Sequence, residues 1–188
     1  MKIQFSGDLP YQRQAINAVL GVFAGLEKCD SRFSVSAPRR KDDQHIGSTV
    51  EDDIGIGNRL PNGFDEELLE NVRDVQLLNG LPQAAQLNSR DFTIEMETGT
   101  GKTYVYLRSI FEMHQRYGFS KFIIVVPSVA IRAGVMKTLK MTEQHFKNEL
   151  PEFAGLRYDY FLYDSAKREQ VRSFATNDYL QIMVINID

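Results

Sequence analysis

The stretch Glu95-Met96-Glu97-Thr98-Gly99-Thr100-Gly101-Lys102-Thr103 constrains this chain more than any other. It follows the short apolar run Phe92-Thr93-Ile94 and opens a long amphipathic segment, 103–116. The order is strand, glycine-bearing loop, helix, with Gly-Lys-Thr at the turn. Gly99 and Gly101 reach backbone conformations closed to other residues, so successive N–H groups turn inward around a phosphate chain. The helix that follows adds its positive end. In such a loop the Lys102 ammonium reaches the β- and γ-phosphates and the Thr103 hydroxyl holds Mg²⁺. Lys102 and Thr103 are therefore the candidate catalytic residues, with Thr103 the candidate metal ligand. Thr98, Gly99, Thr100 and Gly101 complete the cradle. The strict phosphate-loop pattern has Gly five residues before Gly101, where this chain has Met96. The plainer alternative is a Gly/Thr loop with an exposed lysine.

At 188 residues the chain is long enough for one domain with a real core. A net charge of −3 argues against a chain basic all over but leaves room for a local nucleic-acid-binding face. Cys29 is the only cysteine, which excludes an intramolecular disulfide and a thiolate zinc cluster. With no His or acid placed near it by local spacing, Cys29 reads as packing or surface. A free thiol in a chain with a nucleotide motif fits a reducing cytoplasm. No apolar run approaches a membrane span, and Met1-Lys2-Ile3-Gln4 is no signal peptide.

In chain order, a short strand is expected at 3–5. Pro10 then occupies a first helical position, and Ile16, Val19, Leu20, Phe23 and Leu26 recur at helical spacing, predicting a helix over 10–28. Tyr11-Gln12 lies at its start. A Gln there offers the donor and acceptor that an adenine edge requires, although by spacing alone a solvated first-turn side chain is the simpler reading. Residues 29–63 carry charge runs and no sustained period, and read as a long loop or insertion with room for a short hairpin. Asp65 can cap a helix to about residue 79, with Phe64 and Leu69 at staple positions. From Phe92 onward strands and helices alternate: strand 92–96, helix 102–116, strand 121–126, a helix capped by Ser128 to about residue 139, and another capped by Thr142 with Met141 and Phe146 as staple. Strand 157–163, helix 165–174 and strand 180–187 follow. His114, on the apolar face of helix 102–116, reads as a core-edge histidine. The near-continuous apolar run 121–126 suits a strand buried on both faces. This alternation implies an α/β chain with a parallel sheet.

With Tyr11-Gln12, 96–103 and Val125-Val126-Pro127-Ser128 placed, the chain resembles a superfamily 2 helicase motor. More narrowly it resembles the Res (restriction and translocation) subunit of type III restriction enzymes, with the helicase part of type I restriction subunits a near relative. The resemblance rests on Met-Glu-Thr-Gly-Thr-Gly-Lys-Thr-Tyr-Val-Tyr from Met96, Phe-Ile-Ile-Val-Val-Pro-Ser-Val-Ala-Ile-Arg at 122–132, and Ile-Met-Val-Ile-Asn-Ile-Asp at 182–188. It is strongest over 92–188, recognisable at 1–28 and weakest over 30–60. It implies a P-loop RecA-like three-layer domain with a mostly parallel sheet, incomplete here. The expected parts are an adenine-motif region at 1–28, an insertion with one helix at 29–90, and the core at 91–188. Gln12, beside Tyr11, becomes the adenine reader. ATP and Mg²⁺ are the implied cofactors, and Pro127, Ser128 and Arg132 the implied contacts to the backbone of double-stranded DNA.

In the family an Asp-Glu motif serves the metal and the attacking water, and Arg groups come from a second similar domain. Asp188 is the one candidate acid at the end of an apolar run. The resemblance places the acidic motif further on, so the chain is expected to be the N-terminal piece of a longer protein with endonuclease activity and a modification methylase partner. On its own it is expected to be inactive. The competing readings are a small nucleotide kinase, for which Arg168 and Arg172 are too few lid arginines, and a non-catalytic nucleotide-binding module.

Overall fold

The computed structural model describes residues 9–28, 32–35, 53–56, 58, 60, 61 and 63–187. The strand expected at 3–5, Cys29, the charge run at 39–43 and Asp188 lie outside these residues. The elements are α1 Pro10–Gly21, β1 Arg32–Val35, β2 Asp53–Ile56, α2 Phe64–Leu78, α3 Lys102–Tyr117, β3 Lys121–Val126, α4 Val129–Gln144, β4 Tyr158–Leu162, α5 Arg168–Thr176 and β5 Leu180–Asn186. β1 and β2 form an antiparallel pair within the stretch read as an insertion. The main sheet has the order β3-β5-β4 and is parallel throughout.

The central strand β5 is covered from Leu180 to Val184. Its Leu180, Ile182 and Val184 face Leu107 and Phe111 of α3 and Val135 and Leu139 of α4 in one cluster. The aromatic part is tight: the Phe111 ring lies 4.6 Å from Phe146 and 4.8 Å, edge-on, from Tyr158. On the opposite sheet face Phe161 meets Phe174 of α5. The result is an α/β fold with helices flanking a parallel sheet. α3 also has a second apolar side, where Val105 and Tyr117 join Ile16 and Leu20 of α1 and Leu68 and Val72 of α2. That double engagement explains why nine of its residues are buried.

Several elements differ from expectation. α1 stops at Gly21 rather than 28, because Asn71 of α2 donates to the carbonyls of Val22 and Ala24 and holds the chain in a turn there. Asp65 caps nothing: the N-cap of α2 is Gly63 at φ 85°, and Asp65 accepts from Arg90 instead. Thr142 does not start a new helix. Its hydroxyl donates to Thr138 O one turn back at 2.8 Å, and α4 runs through it to Gln144 before a π-helical turn, His145–Glu149. Residues 92–96 form no strand. A strand needs a ladder partner for its backbone groups, and the three-stranded sheet does not reach this segment. β5 pairs with β3 and β4, not with 92–96. Finally, β3 is an edge strand with one covered face: Ile123 and Val125 stay 53% and 54% exposed.

Candidate functional site

The loop ahead of α3 has the backbone its glycines require. Gly99 has φ 84° and Gly101 φ 85°, in the left-handed region that a side chain disfavours. Gly101 is the N-cap of α3, and its carbonyl accepts the first helical bond, from Val105 N at 3.0 Å. The Thr100 hydroxyl closes the loop on Glu97 O at 2.7 Å. Lys102, the first helical residue, is exposed, and Thr103 behind it is half-buried. Burial pushes the hydroxyl of Tyr106, one turn on, upward from its ordinary range, and a hydrogen bond with Thr103 partly offsets this.

α1 reaches this loop directly. Gln12 is only 7% exposed, and its side-chain Nε2 donates to Thr100 O at 2.8 Å. Tyr11, half-exposed, lines a cleft of about 1450 Å³ that Met96 to Thr100 also line. The far wall of that cleft is apolar, from Ala18 and Val22 of α1 and Val75 of α2. The structure thus brings Gln12 against Thr100 and Gly101, and places Tyr11 in the lining of the same cleft as Thr98, Gly99 and Thr100. Lys102 and Thr103 stand just past the cleft at the helix start.

Pro127, Ser128 and Arg132 lie just past the carboxyl end of β3, at the start of α4. Ser128 caps α4, its hydroxyl accepting from Ile131 N at 3.3 Å. The Arg132 guanidinium donates to Asn186 Oδ1 at the end of β5, so it ties the first turn of α4 to the central strand. His114 Nδ1 donates to Phe119 O at 2.7 Å; the carbonyl can only accept, so Nδ1 carries the proton. Burial holds its basicity below the ordinary range, with that bond opposing and Lys28 adding to the fall.

Sequence reasoning missed a charged cluster inside the helical layer. Glu112, 4% exposed, accepts from Arg13 of α1, from Arg108 Nε at 3.1 Å and from Arg116 at 3.0 Å. Arg108, 2% exposed, also donates to Glu152 at 3.0 Å and to the Tyr104 hydroxyl at 3.4 Å. Tyr104 in turn meets His145 Nε2 at 2.9 Å in the π-helical turn. Arg108, Glu112 and Arg116 are spaced by four and share a helix face, which the sequence does signal. Among the described residues no group of three or more His, Cys, Asp or Glu is placed to hold a metal ion, and no helix is long and apolar enough to cross a membrane.

Known proteins give this geometry a setting. The family described as type III restriction enzyme, res subunit, matches residues 8–188. Among individual proteins, the Res subunit of the type III restriction-modification enzyme EcoPI from Escherichia phage P1 is 29% identical over 150 residues, 77% of this chain and 14% of that protein. The EcoP15I Res subunit of Escherichia coli is 28% identical over 147 residues, 76% of this chain and 13% of its own length. The StyLTI Res subunit of Salmonella typhimurium is 29% identical over 141 residues, 74% of this chain and 10% of its own length. The chain thus spans only a small part of the curated relatives it matches. The match covers both the glycine loop and α1, and on it the chain belongs to the type III restriction enzyme Res subunit family.

Proposed function

We propose that this chain is the N-terminal ATP-binding motor lobe of a DNA-translocating restriction subunit, binding ATP with Mg²⁺ and the backbone of duplex DNA. The observation that carries the reading is the hydrogen bond from Gln12 to Thr100 O. It sets a polar first-turn side chain of α1 against a loop whose two glycines hold positive φ.

The groups present suit the ligand. The Thr100 carbonyl can only accept, so it fixes which end of the Gln12 amide is nitrogen. Oε1 and the second N–H then form an acceptor–donor pair. Adenine presents a donor at N6 beside an acceptor at N7, whereas guanine presents two acceptors. Tyr11 offers a ring to the base in the adjoining cleft. The N–H groups of 99–102 and the start of α3 receive the phosphates. Lys102 stands exposed to neutralise them, and Thr103 supplies a hydroxyl for the metal. Bound magnesium supplies charge neutralisation on the β- and γ-phosphoryl oxygens. Pro127, Ser128 and Arg132, at the start of α4, receive the DNA phosphates.

Within this reading 1–28 is the adenine-motif region, 29–90 an insertion and 91–188 the core. Cleavage of DNA, and a modification methylase as partner, belong to the longer protein of which this lobe is a part. The test is a titration of the chain with ATP and Mg²⁺. Binding is expected and is lost in Lys102→Ala; binding unchanged by that substitution would remove the loop from the site.

A further inference from the structure

Gln12 can read a base only if α1 is held at a fixed angle to the glycine loop. The first turn of α1 has little local help in this: its N-cap, Leu9, makes no side-chain cap, and no acidic residue stands in that turn. Two adjacent residues brace it instead. Gln12 bonds Thr100 O, just before α3 begins. Arg13 bonds the Glu112 carboxylate, ten residues beyond Lys102, which is about 15 Å along α3. The core packing of Ile16 and Leu20 fixes the body of α1, and these two polar contacts to different points on the α3 segment fix the orientation of its first turn.

The carboxylate end of the second brace is itself held rigidly. Arg108 and Arg116 reach Glu112 from the turns before and after it, and Arg108 is anchored to Glu152 and Tyr104. A carboxylate buried this deeply is costly to keep unless every oxygen is met. We infer that Glu112 and Arg13 are positioning residues that set base selectivity, holding Gln12 in the orientation that favours adenine over guanine. This rests on the nucleotide site proposed above.

The geometry separates this role from a merely structural one. Arg13 and Arg116 both donate to Glu112, but only Arg13 belongs to α1. The experiment measures ATP and GTP affinity for the chain and for Gln12→Ala, Arg13→Ala, Arg13→Lys, Arg116→Ala and Lys102→Ala, with a thermal melt of each. Arg13→Ala is expected to lower the ATP-to-GTP affinity ratio as Gln12→Ala does, by about fivefold to tenfold, the equivalent of one hydrogen bond. Arg13→Lys, which keeps the charge, recovers part of the ratio, and Arg116→Ala, which leaves Arg13 bonded to a carboxylate that Arg108 still holds, lowers it clearly less than Arg13→Ala does. If Gln12→Ala lowers the ratio and Arg13→Ala does not, the inference is overturned. Equal falls in Arg13→Ala and Arg116→Ala also overturn it, since they would report a general loosening. Nucleotide binding that survives Lys102→Ala would overturn the site and this inference together, a result distinct from either of those.

Discussion

The Gln12 amide nitrogen stands 2.5 Å from the point that a Cβ on Gly101 would occupy. Gly101 is thus required twice, once by its φ of 85° and once by the side chain packed on it. Gly101→Ala is expected to cost about 1–2 kcal/mol from the left-handed backbone alone. It also has to push Gln12 off Thr100 O. Thermal melting and ATP titration check this together: stability falls modestly, and nucleotide affinity falls with it. Gly99 has the same backbone but open space around its α-carbon, so Gly99→Ala is expected to carry the backbone cost and leave Gln12 in place. Equal losses of ATP-over-GTP preference in the two variants would contradict the steric part of this account.

The aromatic contact of α3 with the sheet layer supports the helix on which the loop is mounted. Phe111, 1% exposed, is ringed by Phe146, Phe153 and Tyr158. Phe111→Ala is expected to cost about 3–5 kcal/mol, since three neighbouring rings cannot all close on the void. Urea unfolding measures it. A loss below about 1 kcal/mol would mean that this cluster does not hold α3.

How far the site was legible depends on the range of each interaction. The Ser128 cap on α4 is local, three residues from its partner, and was readable. The glycine conformations followed from the motif. The bond from Gln12 to Thr100 joins residues 88 apart, and no spacing in the sequence announces it. Arg108, Glu112 and Arg116 show their pairing at intervals of four, whereas Arg13 on the same carboxylate does not. Thr142 was misread because a threonine hydroxyl serves equally as a cap or as a back-bond within a helix, and only the packing of Thr142 and Phe146 decides. The apolar run at 92–96 resembled a strand, yet apolar content supplies no ladder partner. Burial on both faces was assigned to 121–126, but the central strand is β5; apolar runs of similar length do not reveal which one is flanked.

His114 gives the fold a pH dependence. Burial lowers its folded-state pKa below the unfolded value, so the unfolded chain binds the proton more readily. Its contribution is fully present above the unfolded pKa of about 6.5, and is lost as pH falls through that value toward the folded pKa. The chain is therefore expected to lose stability as the pH falls below about 6.5. His114→Gln, which cannot charge, is expected to flatten that part of the profile. Denaturant midpoints across this range measure it, and parallel profiles for the two proteins would remove His114 as a cause.

Ser128 offers a way to separate a cap from a phosphate contact. Its hydroxyl accepts from Ile131 N and so closes the first turn of α4, whatever else it does. Ser128→Ala removes the cap and is expected to cost about 1 kcal/mol. Ser128→Asp caps as well as serine, and its charge suits the positive end of the helix, so stability is retained. For a DNA phosphate the two changes rank the other way, because aspartate adds a repelling charge where alanine only removes a donor. The expected order of duplex affinity at low salt is therefore Ser128, then Ser128→Ala, then Ser128→Asp. The expected order of stability places Ser128→Ala last. Fluorescence anisotropy with a labelled duplex, beside thermal melts, reads both orders. If Ser128→Asp binds duplex as tightly as the parent chain, Ser128 is a cap and nothing more, and the DNA face lies elsewhere on the molecule.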